Sequence, residues 1–128
     1  MTFQTSLDQQ AYPHALGKIV CVGRNYADHA RELNNPVPSQ PILFIKPATA
    51  AVPMADAVSI PTGRGSCHIE TEMALLIGAP LRAASEAEAA TAIAGVGLGF
   101  DLTLRDKQNQ LKEKVPLNEF IISLAKYR

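Results

Sequence analysis

Three acidic side chains in this sequence have the type and spacing of ligands for a hard metal cation. The stretch CHIETEMALLIG, residues 67–78, puts Glu70 and Glu72 at alternate positions, and Asp101 follows the run GLGF. Read as a strand, this stretch places His68, Glu70 and Glu72 on one face, with the two glutamates roughly 6.6 Å apart. Carboxylate oxygens suit Mg²⁺, Mn²⁺ or Ca²⁺, and three of them leave positions open for water and substrate. The alternative is an exposed strand face that carries solvated acids.

A histidine and a glutamate form a second candidate group. His29 and Glu32 stand three apart in the predicted helix ADHARELNN and so share a face. A carboxylate beside an imidazole can orient the ring, and such a pair can activate a water as general base. The alternative is an ordinary solvated helix face.

Two cations stand where predicted strands end. Arg24 follows the strand in KIVCVG and would either bind an anion or hold the turn. Lys46 closes the apolar strand ILFIKP and would either bind a substrate carboxylate or reach solvent.

The elements that must position these residues mix strands and helices. Strands are predicted at Ile19 to Val22, in ILFIKP, in the stretch at 67–78 and in VGLGFDLTL, and short strands joined by turns in AAVPMADAVSIPTGRGS. Helices are predicted in ADHARELNN, in SEAEAATAIAG and in RDKQNQLKEK, the second with a capping box of Ser85 and Glu88 and with Gly95 at its end. Because no regular βαβ alternation appears, the pattern favours an α+β fold that is rich in strands.

Length and composition narrow the class of protein. The 128 residues suggest one domain, and 47% apolar with 19% charged residues fits a globular chain. The zero net charge argues against nucleic acid or a membrane surface as partner, and neither a signal peptide nor a membrane span is predicted. Cys21 and Cys67 lack a CxxC spacing, which favours reduced thiols and a cytoplasmic location. Zinc, nucleotide and serine-nucleophile motifs are absent.

Three segments together carry a resemblance to a known family. KIVCVGRNYADHARELNNPVPSQPILFIKP, HIETEMALLIG and GFDLTLRDKQNQLKEK, in this order and spacing, resemble the fumarylacetoacetate hydrolase family. The closest similarity is to its small members, which are acylpyruvate hydrolases, oxaloacetate decarboxylases and the dienedioate isomerases of aromatic catabolism.

The resemblance implies a fold, a cofactor and a set of roles. The fold would be a β-rich mixed roll, usually a homodimer, with Mg²⁺ or Mn²⁺ held by Glu70, Glu72 and Asp101, and with His68 as a neighbour of the metal ligands. By the same resemblance, the family's catalytic dyad falls on His29 and Glu32. The residues that would line the substrate pocket are Arg24, Lys46 and Gln108.

The sequence departs from the family after Lys114. Family members continue with a Gly-x-Pro-Trp stretch and a substrate-facing lysine, whereas VPLNEF follows here. We therefore expect an N-terminal extension at 1–17, the N-terminal part of a catalytic domain at 18–114, and a tail of uncertain register at 115–128. The C-terminal part of the family domain is expected to be missing.

The predicted function is hydrolysis of a C–C bond in a small 2-oxo acid of the acylpyruvate type. A metal-bound enolate would form, and His29 with Glu32 would activate the attacking water. A decarboxylase or an isomerase would use the same enolate. The alternative from another class is a non-catalytic remnant that keeps the ligand strand without a closed pocket.

Overall fold

The computed structural model describes residues 3–26 and 39–114. Within them it contains six strands, two α-helices and one 3₁₀ turn. The strands are β1 (Ser6–Leu7), β2 (Gln10–Ala11), β3 (Ile19–Gly23), β4 (Ile42–Lys46), β5 (Cys67–Ile77) and β6 (Ile93–Leu104). The helices are α1 (Glu86–Thr91) and α2 (Arg105–Lys114), and the 3₁₀ turn is Ala48–Ala50. This order confirms the α+β class, and the predicted helix ADHARELNN lies outside the described residues.

The longest element is an antiparallel ribbon of β5 and β6. Its register runs from Cys67 opposite Leu104 to Ile77 opposite Ile93, with an irregularity between Leu76 and Ile77. The alternation predicted for residues 67–78 is therefore confirmed as a strand.

The two faces of this ribbon differ sharply in chemistry. One face, called the acidic face below, carries five residues of each strand: His68, Glu70, Glu72, Ala74 and Leu76, with Thr103, Asp101, Gly99, Gly97 and Gly95 opposite them. The other face is almost wholly apolar. Its exposed large side chains are Ile69, Met73, Leu75, Ile77, Ile93, Val96, Leu98 and Phe100.

A shorter ribbon pairs β3 with β4, the two strands that the sequence predicted at Ile19 to Val22 and in ILFIKP. Its register sets Ile19 opposite Lys46 and Gly23 opposite Ile42. Cys21 and Lys46 lie on its less exposed face. Lys46 contacts Asp101 from this face, so the short ribbon approaches the acidic face of the long one.

The N-terminal residues form a hairpin of β1 and β2. Asp8 and Gln9 at its turn both have positive φ, as a tight two-residue hairpin loop requires. The hairpin packs on the long ribbon at Gly95, where a Cβ would come within 2.5 Å of Leu7 Cδ1. Gly95 is thus fixed by a close approach between two strands.

Helix α1 begins as predicted and ends earlier. Ser85 and Glu88 form the full capping box, with Ser85 Oγ accepting from the Glu88 backbone N–H. The prediction that Gly95 ends this helix is wrong, since the helix ends at Thr91 and β6 starts at Ile93. Pairing of Ile93 with Ile77 in the ribbon outweighs the local glycine stop signal.

The prediction of short strands in AAVPMADAVSIPTGRGS is also wrong. Residues 51–66 contain turns and irregular backbone and no strand. Pro53 and Pro61 lack the N–H that a ladder needs, and Gly63 and Gly65 take positive φ values of 69° and 83°. The segment serves as a connection that leads into β5.

Burial within the described residues is slight. Among their apolar side chains only Ala92 and Leu104 are buried. Neither helix in residues 3–26 and 39–114 has the length and hydropathy needed to cross a bilayer.

Candidate functional site

The acidic face brings the three predicted metal ligands onto one surface. Glu70 and Asp101 are direct cross-strand partners, and Glu72 lies two residues along β5, opposite Gly99. Cross-strand partners have Cβ atoms roughly 4.5–5.5 Å apart, so the carboxylates of Glu70 and Asp101 are close neighbours. Three like charges in so small an area need cations nearby.

Lys46 supplies the first cation. Its Nζ donates to Oδ1 of Asp101, and both side chains are largely buried, with 12% and 13% of their surface exposed. Lys46, the lysine predicted at the end of β4, therefore contacts one of the three predicted metal ligands.

Arg105 supplies the second cation. As the first residue of α2, it directs its guanidinium along the acidic face. One terminal nitrogen donates to Oε1 of Glu70 at 2.6 Å, and the other donates to Oε1 of Gln108 at 2.8 Å. Its Nε donates to Nδ1 of His68 at 3.4 Å. A single side chain thus contacts a predicted metal ligand, the neighbouring histidine and a predicted substrate residue.

Glu72 is affected by both burial and the negative charge of this face. Its pKa is raised, first by desolvation and then by the charges of Glu70 and Asp101, while Lys46 opposes the shift. Burial raises the pKa of the Cys21 thiol, and the charge of nearby Asp101 raises it further. The two cysteines are free thiols, as the sequence predicted.

The side chains of the acidic face are of the right chemical type to bind a divalent cation, but they do not converge on one point. Hard carboxylate oxygens are the donors that Mg²⁺ and Mn²⁺ prefer, and Glu72, whose pKa is raised by desolvation, also lies close to the charges of Glu70 and Asp101. In residues 3–26 and 39–114, however, no three His, Cys, Asp or Glu side chains converge as a metal site. Asp101 and Glu70 point to Lys46 and Arg105 instead. The donor set therefore fits such a cation, and binding requires the side chains to turn.

Arg24 lies away from Lys46. It follows Gly23, whereas Lys46 pairs with Ile19, so the two cations lie at opposite ends of the short ribbon, about 16 Å apart along the strand. A shallow pocket at the Arg24 end is lined on one side by Arg24 and Asn25 and on the other by residues 39–41. The φ of Arg24, 54°, lies in the left-handed region, where a residue with a Cβ is strained by about 1–2 kcal/mol.

The predicted dyad of His29 and Glu32 lies outside the described residues.

Arg105 is the site residue that sequence reasoning missed. It stands at a strand-to-helix junction, four residues after Asp101. Finding it requires both the register that sets Asp101 opposite Glu70 and the start of α2. In the sequence the signal is only one arginine at the start of a polar helix.

A family model now identifies the class of protein. Residues 18–121 match the model of the fumarylacetoacetate (FAA) hydrolase C-terminal domain. The chain belongs to this family, as the resemblance predicted.

Individual relatives sharpen the comparison. The chain is 50% identical over 102 residues to oxaloacetate tautomerase YcgM of Escherichia coli, an alignment that covers 80% of this chain and 46% of the relative. The chain therefore spans about half the length of the curated relatives it matches.

Solved structures agree with the fold. A proposed fumarylacetoacetate isomerase/hydrolase from Oleispira antarctica superposes with a TM-score of 0.80 at 64% identity, covering 84% of this chain and 48% of that one. A proposed fumarylpyruvate hydrolase from Burkholderia cenocepacia gives a TM-score of 0.73 at 36% identity, covering 87% and 47%. The predicted β-rich roll of this family is thereby confirmed for the part that the chain spans.

Proposed function

We propose that the intact protein interconverts the keto and enol forms of a small 2-oxo acid such as oxaloacetate. The observation that carries the proposal is the 50% identity to a protein named oxaloacetate tautomerase across the stretch that holds the acidic face. Supporting it, the acidic face combines three carboxylates with two cations in a small area. The hydrolase predicted from the sequence becomes the second candidate.

The residues of the chain have separate tasks in this proposal. Glu70, Glu72 and Asp101 would hold Mg²⁺ or Mn²⁺, which when bound supplies Lewis-acid stabilisation of the negative charge of an enolate. Before the metal binds, Lys46 pairs with Asp101 and offsets the repulsion between this carboxylate and its neighbours. His29, oriented by Glu32, is the group proposed to move the proton at the carbon next to the keto group.

Metal binding is tested apart from turnover. Titration of the intact protein with Mn²⁺, followed by the electron paramagnetic resonance of the free ion, measures affinity directly. Glu72→Gln should weaken Mn²⁺ binding by roughly tenfold or more, because one charged ligand is lost from the site. Glu86→Gln, which changes the same charge on the exposed first turn of α1, is the matched control. Equal affinity of Glu72→Gln and wild-type protein would remove Glu72 from the ligand set.

The reaction is tested by following the ultraviolet absorbance of the enol of oxaloacetate. Wild-type protein with Mg²⁺ should speed the decay of the enol signal, and a chelator should abolish this effect. His29→Ala should slow proton transfer by about 10²–10⁴-fold, the usual contribution of a general acid–base group. If wild-type protein binds Mn²⁺ but the enol absorbance decays no faster than in buffer alone, the tautomerase proposal fails. The non-catalytic alternative is then favoured.

Hydrolysis of an acylpyruvate is the second candidate, because one structural relative carries the name fumarylpyruvate hydrolase. In that reaction His29 with Glu32 would activate water to attack the distal carbonyl. Release of pyruvate from an acylpyruvate, in parallel with the enol assay, separates the two candidates. The homodimer and the cytoplasmic location stay predictions, and sedimentation of the intact protein measures the first.

A further inference from the structure

We infer that the ammonium group of Lys46 competes with the divalent cation for Asp101 and leaves this carboxylate when the cation binds. The inference rests on the proposed function, which puts a cation among Glu70, Glu72 and Asp101. It adds that the chain carries its own competitor for that cation. The affinity for metal is then lower than the three carboxylates alone would give.

Lys46 stands among the proposed ligands as a cation would. Its Nζ donates to Oδ1 of Asp101 from a different ribbon, because Lys46 ends β4 whereas Asp101 lies in β6. Its charge also acts on Glu72, where it opposes the rise in pKa that desolvation, and then Glu70 and Asp101, cause. One ammonium therefore acts on carboxylates of both strands of the long ribbon.

The two cations would repel each other if both bound Asp101. A divalent ion on either oxygen of this carboxylate would lie beside the Nζ of Lys46, and its double charge doubles the repulsion between two single charges. Only 12% of the Lys46 side chain and 13% of the Asp101 side chain are exposed, so solvent ions screen this repulsion little. One of the two cations must therefore give way.

Lys46 is the partner that is free to move. The backbone of Asp101 is held by its pairing with Glu70 within the long ribbon, and its side chain is short. Lys46 is the last residue of its strand, and its ammonium is carried on a flexible four-carbon stem. Binding of the metal ion is therefore expected to shift the lysine and to leave the aspartate in place.

Arg105 is the weaker competitor of the two basic residues. Its contact with Glu70 leaves 28% and 42% of the two side chains exposed, against 12% and 13% for Lys46 and Asp101. Solvent screens the more exposed pair, so that pair contributes less to the balance of charge at the metal. The main competition is therefore assigned to Lys46.

The test is a double-mutant cycle on the intact protein, with Mn²⁺ affinity measured from the electron paramagnetic resonance of the free ion. Lys46→Met should bind Mn²⁺ roughly tenfold more tightly than wild type, because the competing positive charge is gone. In the Asp101→Asn background the same change should alter affinity by no more than about twofold, because the contested carboxylate is absent. Lys18→Met, at an exposed lysine just before β3, is the matched control and should bind like wild type.

Two results of this cycle would overturn the inference. Unchanged or weaker Mn²⁺ binding by Lys46→Met would mean that the lysine supports the site and does not compete for it. An equal gain from Lys46→Met in both backgrounds would mean that its charge acts on the metal ion without a contest for Asp101.

Thermal stability gives an independent measurement, which also covers poor folding of Lys46→Met without metal. In this variant Asp101 has lost its ammonium partner, and a bound Mn²⁺ would compensate the carboxylate. Saturating Mn²⁺ should therefore raise the Tm of Lys46→Met more than the Tm of wild type, since the ligand stabilises more where it binds more tightly. An equal rise in the two proteins would contradict the inference.

Chemical labelling of wild-type protein separates this inference from the proposed function. Acetic anhydride modifies accessible lysines, and mass spectrometry identifies each modified position. Mn²⁺ should speed the labelling of Lys46, which leaves its buried contact, and should leave the labelling of exposed Lys18 unchanged. If Mn²⁺ binds and the labelling of Lys46 does not rise, the displacement is wrong while the metal site stands.

The opposite result separates the two proposals as clearly. If Mn²⁺ speeds the labelling of Lys46 but the enol of oxaloacetate decays no faster than in buffer, the inference holds and the tautomerase proposal alone fails. If neither wild-type protein nor Lys46→Met binds Mn²⁺, both proposals are wrong.

Discussion

Replacing Lys46 by methionine should destabilise the intact protein while leaving its secondary structure in place. Methionine keeps the length and much of the volume of lysine but removes the ammonium that contacts Asp101. The aspartate is then left with only 13% of its side chain exposed, directly opposite the carboxylate of Glu70. The variant isolates the cost of an uncompensated charge.

The magnitude follows from comparing two terms. At a hydrogen-bond separation of ~2.8 Å and an effective dielectric constant of ~20, the pair attracts by about 6 kcal/mol. Desolvating the two ions costs several kcal/mol each, so the pair as a whole contributes little. Removing one partner is different, because the desolvated carboxylate stays, and this typically costs about 3–5 kcal/mol. With 12% and 13% exposure the lower end applies, so we expect ~3 kcal/mol and a fall in Tm of roughly 10 °C.

Urea unfolding followed by circular dichroism measures this loss. The matched control is Lys18→Met, the same change at an exposed lysine just before β3, which should stay within ~0.5 kcal/mol of wild type. If Lys46→Met and Lys18→Met unfold at the same urea concentration, the buried pair does not exist in solution and the reasoning fails.

The difference in free energy of unfolding between wild-type protein and Lys46→Met should become smaller as the pH falls. The pKa of Glu72 is raised in the folded protein, chiefly by desolvation and then by Glu70 and Asp101, so its protonation favours folding. Stability is therefore gained as the pH falls through the raised pKa toward the ordinary value of 4.5 and is lost as the pH rises again. Since Lys46 opposes the shift, its removal raises the pKa of Glu72 further, and the gain in acid becomes larger. If this difference in stability instead becomes larger as the pH falls from about 7 to about 5, the predicted sign is wrong.

Two further predictions concern the supports of the site. Ser85→Ala should lower the free energy of unfolding by ~1 kcal/mol through loss of the helix cap, as thermal melts would show. The pKa of Glu88 is lowered by its hydrogen bonds from the Ser85 backbone and hydroxyl, so this capping contribution is present above the ordinary carboxyl pKa and fades as the pH falls through the lowered one. Gly65→Ala should cost ~2 kcal/mol or more, because φ there is 83° and the new Cβ would lie 2.2 Å from Oδ2 of Asp106. A Cβ added at Gly97 would have no other atom within 4 Å, so Gly97→Ala should leave stability unchanged or slightly higher. Equal melting temperatures for the two glycine variants would refute the predicted strain at Gly65.

Local patterns predicted those parts of the fold that local interactions decide. The alternation around Glu70 and Glu72 gave both the strand and its acidic face, because side-chain direction in a strand depends only on the parity of position. The capping box of Ser85 and Glu88 was likewise readable, since both hydrogen bonds lie within one turn. The end of the same helix was not readable, because pairing across the ribbon, and not Gly95, decides it.

The candidate site itself depends on register, which the sequence does not display. Asp101 was expected on a strand neighbouring Glu70, but its place directly opposite depends on the length of the connection through α1 and on the irregularity beside Leu76. The contact of Arg105 with Glu70 requires, in addition, that α2 begins where β6 ends. Each of these steps is a tertiary fact, so a motif search finds the acids and misses the arginine.

Under the proposed function, the balance of charge on the acidic face gives a physical reason for a metal ion to bind before the substrate. Glu70, Glu72 and Asp101, when all ionised, outweigh Lys46 and Arg105 by one negative charge. An anionic 2-oxo acid would therefore be repelled by the face formed by the protein alone. A divalent cation reverses the sign of the local charge, and the same face then attracts the anion. The two cations keep the carboxylates folded together without the metal but do not neutralise them, so under the proposed function the order of binding follows from the side chains that the chain itself supplies.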